Sequence, residues 1–245
     1  MSSLETRKIE PQSSTTVTLG EAGDTVAVPA GAVVKTNTVK DSGGNTLWTS
    51  DGAGTLSSVN SAIAGSMIFI SSQTASSSSS LSFTSGIDST YDEYVFYYVN
   101  MNPATNRAKF LFQVNASGQS GFNETMTTTS FVAWHNEADT STSLQYRTGA
   151  DQAQGTAYQK LSEEISNASK GSTSGEFHLF SPSSTTYVKH FYQKSDDYND
   201  TGSGIYDNAS FTAGYINVTA AITEIDFKMD TGNINAGTIY LYGMK

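Results

Sequence analysis

Glu176-Phe177-His178-Leu179-Phe180 and Tyr187-Val188-Lys189-His190-Phe191 flank the loop Ser181-Pro182-Ser183-Ser184-Thr185-Thr186. Successive side chains of a strand point to opposite faces, so two period-2 runs around a Pro- and Ser-rich turn read as a β-hairpin. A symmetric register sets His178 opposite His190 and Phe180 opposite Val188, on one face. Outward from this hairpin the same texture continues in both directions. Toward the N-terminus it predicts strands at 67–71, 80–84, 94–100, 109–115, 126–134, 143–147 and 157–161. The hairpin itself supplies 176–180 and 186–192, and toward the C-terminus follow 211–218, 222–229 and 238–242. Only residues 158–168 also read as a helix. Strands every 10–15 residues, broken by Gly, Ser, Asn and Asp, predict an all-β chain whose residues 66–245 form a β-sandwich or jelly-roll head.

Composition narrows the class. Ser and Thr supply about 67 of the 245 residues, which raises the question of disorder. The 13 Tyr, 12 Phe and 2 Trp answer it, because a chain this rich in aromatics buries enough surface to offset ordering entropy. The chain has no Cys, so disulfides and thiolate zinc sites are excluded. A net charge of −10 argues against nucleic acid and anionic membrane surfaces as partners. No apolar run is long enough for a membrane-inserted helix. Met1–Lys8 lacks the apolar stretch of a signal peptide, so none is expected there.

Residues 1–40 read as a separate β module. Thr15–Leu19 and Thr25–Val28 alternate polar and apolar around Gly20-Glu21-Ala22-Gly23-Asp24, a second hairpin signal. Its apolar supply is only Val17, Leu19, Val26 and Val28, and an isolated hairpin is marginal in water. The hairpin therefore needs a partner surface, either the main domain or, as the favoured choice, the same hairpin of sister chains, and these four residues are the expected anchoring and oligomerisation contacts. Residues 41–65, with Asp41-Ser42-Gly43-Gly44-Asn45 and Asp51-Gly52-Ala53-Gly54, read as a Gly/Ser-rich linker. Leu47 and Trp48 are its anchor point, and Ser57–Ala64 has room for one weak helical turn.

Few residues offer chemistry. His178 facing His190 would supply two metal ligands, and His135 is the other imidazole available. Trp134-His135-Asn136-Glu137-Ala138-Asp139 contains the densest carboxylate pair, Glu137 and Asp139. A glycan-cleaving reading needs two such groups across a cleft, whereas neighbours in a turn are ordinarily solvated. Asp196, Asp197, Asn199 and Asp200 are a weak calcium candidate, since calcium takes six to eight oxygens from acidic loops. No cofactor motif is present. Tyr94, Tyr97, Tyr98, Tyr187, Tyr192, Tyr198, Tyr206 and Tyr215 exceed the needs of a core. Each is either an alternating core residue or a flat surface for sugars or proteins.

Thr16-Val17-Thr18-Leu19-Gly20-Glu21-Ala22-Gly23-Asp24-Thr25-Val26-Ala27-Val28-Pro29-Ala30-Gly31 resembles a segment of virion proteins of marine tailed bacteriophages, cyanophages among them. Glu5–Glu10 is similar to the leader of such proteins. Ser72–Ser76, Leu81–Asp88, Tyr91–Phe96, Pro182–Phe191 and Ile234–Gly243 look like the same group. The resemblance implies a non-enzymatic tail-fibre-like or capsid-fibre-like protein on the particle surface or tail, trimeric and held by other virion proteins. Host surface glycan is the further partner to consider. The chain lacks the repeated shaft of a long fibre, which keeps capsid decoration as an alternative. A free carbohydrate-binding module is the other.

Overall fold

The computed structural model describes residue 30 and residues 35–53, 56–59 and 66–244. The expected hairpin of Val17, Leu19, Val26 and Val28 lies outside the described residues. Two compact units divide the chain, residues 1–63 and 64–245.

In the first unit, strands β1 (Thr38–Lys40), β2 (Thr46–Ser50) and β3 (Leu56–Val59) form an antiparallel sheet in that order. This corrects the linker reading for the described residues 41–53 and 56–59. The Asp41 carboxylate accepts hydrogen bonds from the Gly43 and Asn45 amides at 2.9 and 2.8 Å, closing a tight turn. Residues that read as loose punctuation therefore fold β1 onto β2, an Asx-type use of aspartate. Trp48 sits between Val39 and Val59 in register, and Ser57–Val59 is strand rather than helical turn.

The second unit is a β-sandwich. Its strands are β4 (Met67–Thr74), β5 (Leu81–Phe83), β6 (Glu93–Pro103), β7 (Phe110–Ala116), β8 (Met126–Asn136) and β9 (Thr142–Tyr146). They continue as β10 (Gln159–Lys160), β11 (Thr173–Phe180), β12 (Lys189–Asp200), β13 (Ile205–Ile216), β14 (Ile222–Met229) and β15 (Ile234–Met244). Every strand expected from sequence in this unit has its counterpart, and residues 158–168 hold the short β10 instead of a helix. An eight-stranded antiparallel sheet, β4-β15-β6-β11-β12-β13-β8-β9, packs on a four-stranded sheet, β10-β7-β14-β5. Aromatic rings from both sheets meet in the core. Phe112 lies 4.4 Å from Phe177 and 5.0 Å from Phe191, and Phe227 lies 5.5 Å from Phe96 and 5.7 Å from Phe110.

The hairpin register differs from the symmetric one. His178 pairs with Tyr192 and Leu179 with Phe191. The slip is two residues, so the faces are kept while the partners change. Lys189 decides it. Its buried ammonium donates to the carbonyls of Tyr187 at 3.1 Å and Val218 at 3.0 Å. That contact holds residues 187 and 188 in the connection rather than in the ladder.

The eight-stranded sheet overhangs its smaller partner. Beyond the aromatic core its inner face turns polar, and residues 159–166 cover it. The Ser195 hydroxyl donates to the Leu161 carbonyl at 2.8 Å, and the Thr128 hydroxyl to Gln159 Oε1 at 2.8 Å. The Glu163 amide donates to Asp197 Oδ2 at 2.8 Å. Much of the Ser, Thr and Asn content is thus structural, pairing the backbone of an irregular segment that must lie buried.

Candidate functional site

The outer face of the eight-stranded sheet carries the alternate residues of each strand. Phe69 of β4 stands beside Tyr242 of β15, with ring centroids 5.6 Å apart, and Tyr242 beside Tyr97 of β6 at 5.8 Å. His178 stacks on Tyr192 at 4.4 Å, Tyr192 on Phe211 at 6.3 Å, and Phe211 on Phe131 at 4.9 Å. Phe131 pairs in register with Tyr146 of β9. An aromatic belt therefore crosses the sheet. Nine large apolar side chains are exposed among the described residues, and seven of them (Met67, Phe69, Val99, Phe131, Leu144, Tyr146 and Tyr240) belong to this face. Thr129, Tyr192, Phe211, Ala213 and Tyr215 line an open hollow of about 630 Å³ within it.

Charges interrupt the belt at its centre. Lys194 Nζ lies 2.7 Å from Glu176 Oε1, and His178 Nδ1 bonds Glu93. Burial, reinforced by Glu176 and Glu93, pushes the Tyr97 and Tyr192 phenols up, so both stay protonated donors. Further along, burial and a hydrogen bond with Asp207 push Asp196 up to about 6.

A second concavity lies on the opposite, inner side of the same sheet, past the edge of the four-stranded sheet. Trp134, Tyr206, Asn199, Asn208, Arg107, Arg147, Glu163 and Glu164 are among its lining residues, around about 400 Å³. Trp134 and Tyr206 are set edge to face at 5.6 Å and 74°, forming a corner of two rings. Arg147 grips Glu163 through two hydrogen bonds of 2.9 and 2.5 Å, and Arg107 bonds Glu164. Among the described residues Asn199 Oδ1 and Asn208 Nδ2 have no hydrogen-bond partner. Below them Asp197 is fully buried, and desolvation, with Glu163 and Asp196 nearby, pushes its carboxyl up to about 7.

Several expectations are corrected here. His178 and His190 do not face each other; His190 lies across from Tyr215, so no imidazole pair forms. Asp196, Asp197, Asn199 and Asp200 are strand residues of β12, not a loop. Alternation buries Asp197 and Asn199 on the inner face and leaves Asp196 and Asp200 on the outer one, so the four oxygens do not converge. Among the described residues no group of three or more His, Asp or Glu is placed to hold a metal ion.

The 134–139 cluster is also divided. Trp134 enters the inner pocket, while His135 bonds Asp139 at 3.0 Å at an exposed turn. Glu137 and Asp139 are exposed on that turn. Of the eight tyrosines, Tyr94 and Tyr98 are core, Tyr97, Tyr192, Tyr198 and Tyr215 are outer-face, Tyr206 lines the inner pocket, and Tyr187 is exposed on the connection before β12.

Phe69, Phe131, Leu144, Tyr146, Tyr240 and Tyr242 escape a reading that looks only for one apolar parity. Their signal is an aromatic or leucine on the parity that should be polar, as in Ser130-Phe131-Val132. No family model, no curated protein sequence and no solved structure matches the chain.

Proposed function

We propose that the chain is a non-enzymatic structural subunit of a tailed bacteriophage particle. Residues 64–245 form its displayed head, and the N-terminal region is its anchor and trimer contact. The observation that carries this reading is the outer face of the eight-stranded sheet. Exposed apolar side chains grouped on one face of a folded domain, with polar residues among them, mark a protein contact. The face presents stacked rings and paired charges. A neighbouring virion protein is the partner this arrangement suits, and the resemblance of residues 16–31 and of the head segments to marine phage virion proteins points the same way. Capsid decoration differs only in where the partner sits.

Mass spectrometry of purified particles made from the genome that encodes the chain tests the proposal. Its peptides are expected in the particles at a stoichiometry of many copies. Peptides confined to the lysate and missing from washed particles overturn it.

A further inference from the structure

We propose that the pocket at Trp134 binds one unit of a neutral saccharide. The inference goes beyond the particle reading, because the pocket is built entirely by the head and serves a free module equally well.

Its volume of about 400 Å³ falls in the range of small-ligand sites. Its two rings meet at a corner, which offers one flat face for the C–H side of a pyranose and one edge beside it. The amides of Asn199 and Asn208 are more than nine-tenths buried and lie diagonally on β12 and β13, Asn199 opposite Tyr206 and Asn208 opposite Asp197. One keeps an unanswered acceptor, Oδ1, and the other an unanswered donor, Nδ2. Unpaired polar atoms at such depth are costly, and a ligand with several hydroxyls, each able to donate and accept, has the chemistry that answers them.

Charge selects among ligand classes. Two arginines and two glutamates line the pocket, and each arginine is already committed to a glutamate. Among the described residues no free cation lines the site for a phosphate or carboxylate ligand. An apolar ligand would leave the two amides unanswered. Because both glutamates are held by guanidinium groups, the pocket is suited to binding rather than to glycosidic cleavage, which needs a carboxylic acid free to protonate the leaving oxygen.

The chain has two tryptophans, Trp48 and Trp134, so the full chain carrying Trp48→Phe reports on this pocket alone. Its emission is titrated with maltotriose, cellotriose and mannotriose, each to about 50 mM, which saturates even a millimolar site. Inorganic phosphate and glucuronate are the anionic controls. At least one trisaccharide is expected to give a saturable change, with affinity reduced about tenfold or more by Asn208→Ala and neither anion responding. Tyr206→Ala is the second variant, used if Asn208→Ala lowers the melting temperature enough to unfold the head. No saturable change with any trisaccharide, a response to the anions alone, or affinity unaltered by a folded pocket variant overturns the proposal.

Discussion

Asp197 shows how one residue links fold, pocket and pH response. Its side chain lies on the inner face between Thr173 and Asn208 in register, with one oxygen receiving the Glu163 amide. Burial is the main reason its pKa stands near 7, against about 3.9 in an unfolded chain. Between those values the folded state holds a proton that the unfolded state has released. Stability therefore falls as pH rises from about 4 to about 7 and levels off above. Asp196, raised to about 6, acts in the same direction. Asp197→Asn keeps an acceptor for the Glu163 amide but cannot ionise. It should raise stability at pH 8 by ~1–3 kcal/mol, a few degrees in melting temperature, and flatten the profile between pH 5 and 8. Thermal melts across that range check it, and parallel profiles for the two proteins would refute the assignment.

At the scale of elements, β11 decides how the sheet closes. Gly175 pairs with Tyr98 on one side and Ser195 on the other. A Cβ there would fall on the Lys194 carbonyl and the Tyr98 hydroxyl, well inside contact distance. The gap it leaves lets the buried Tyr98 reach Gln193 Oε1 at 2.9 Å beneath the strand. Gly175→Ala should cost about 1–3 kcal/mol, through strain and loss of that bond. Chemical denaturation measures it, and a midpoint equal to the parent's would contradict this account of the β6–β11–β12 contact.

The same elements show what was legible. Period-2 alternation located every strand of the head because its inner parity is apolar at Phe177, Leu179, Phe191 and Phe227. It stopped short on β12 because Gln193, Ser195, Asp197 and Asn199 continue the buried face in polar residues that resemble loop sequence. The symmetric hairpin failed by two residues because the Lys189 contacts are tertiary, made to Val218 from far along the chain. Trp134 and Tyr206 stood out by type. Their meeting with Asn199 and Asn208 depends on the β8–β13–β12 order, which no local pattern contains.

For the whole molecule, the chain divides into two compact units at residues 63 and 64, and the proposal gives each its own job. The head has its own aromatic core, its own polar seam, an outer contact face and a pocket. On the proposed reading the contact face meets a neighbouring particle protein and the pocket a saccharide. The same reading assigns assembly among sister chains to the N-terminal region, since the head's outer belt is broken by Lys194, Glu176, His178 and Glu93. Solution mass by light scattering, for the full chain and for residues 64–245, tests this division most directly. The account predicts three times the 26.1 kDa chain mass for the full chain and a single-copy mass for the head. A monomeric full chain, or a head that is trimeric by itself, would contradict it.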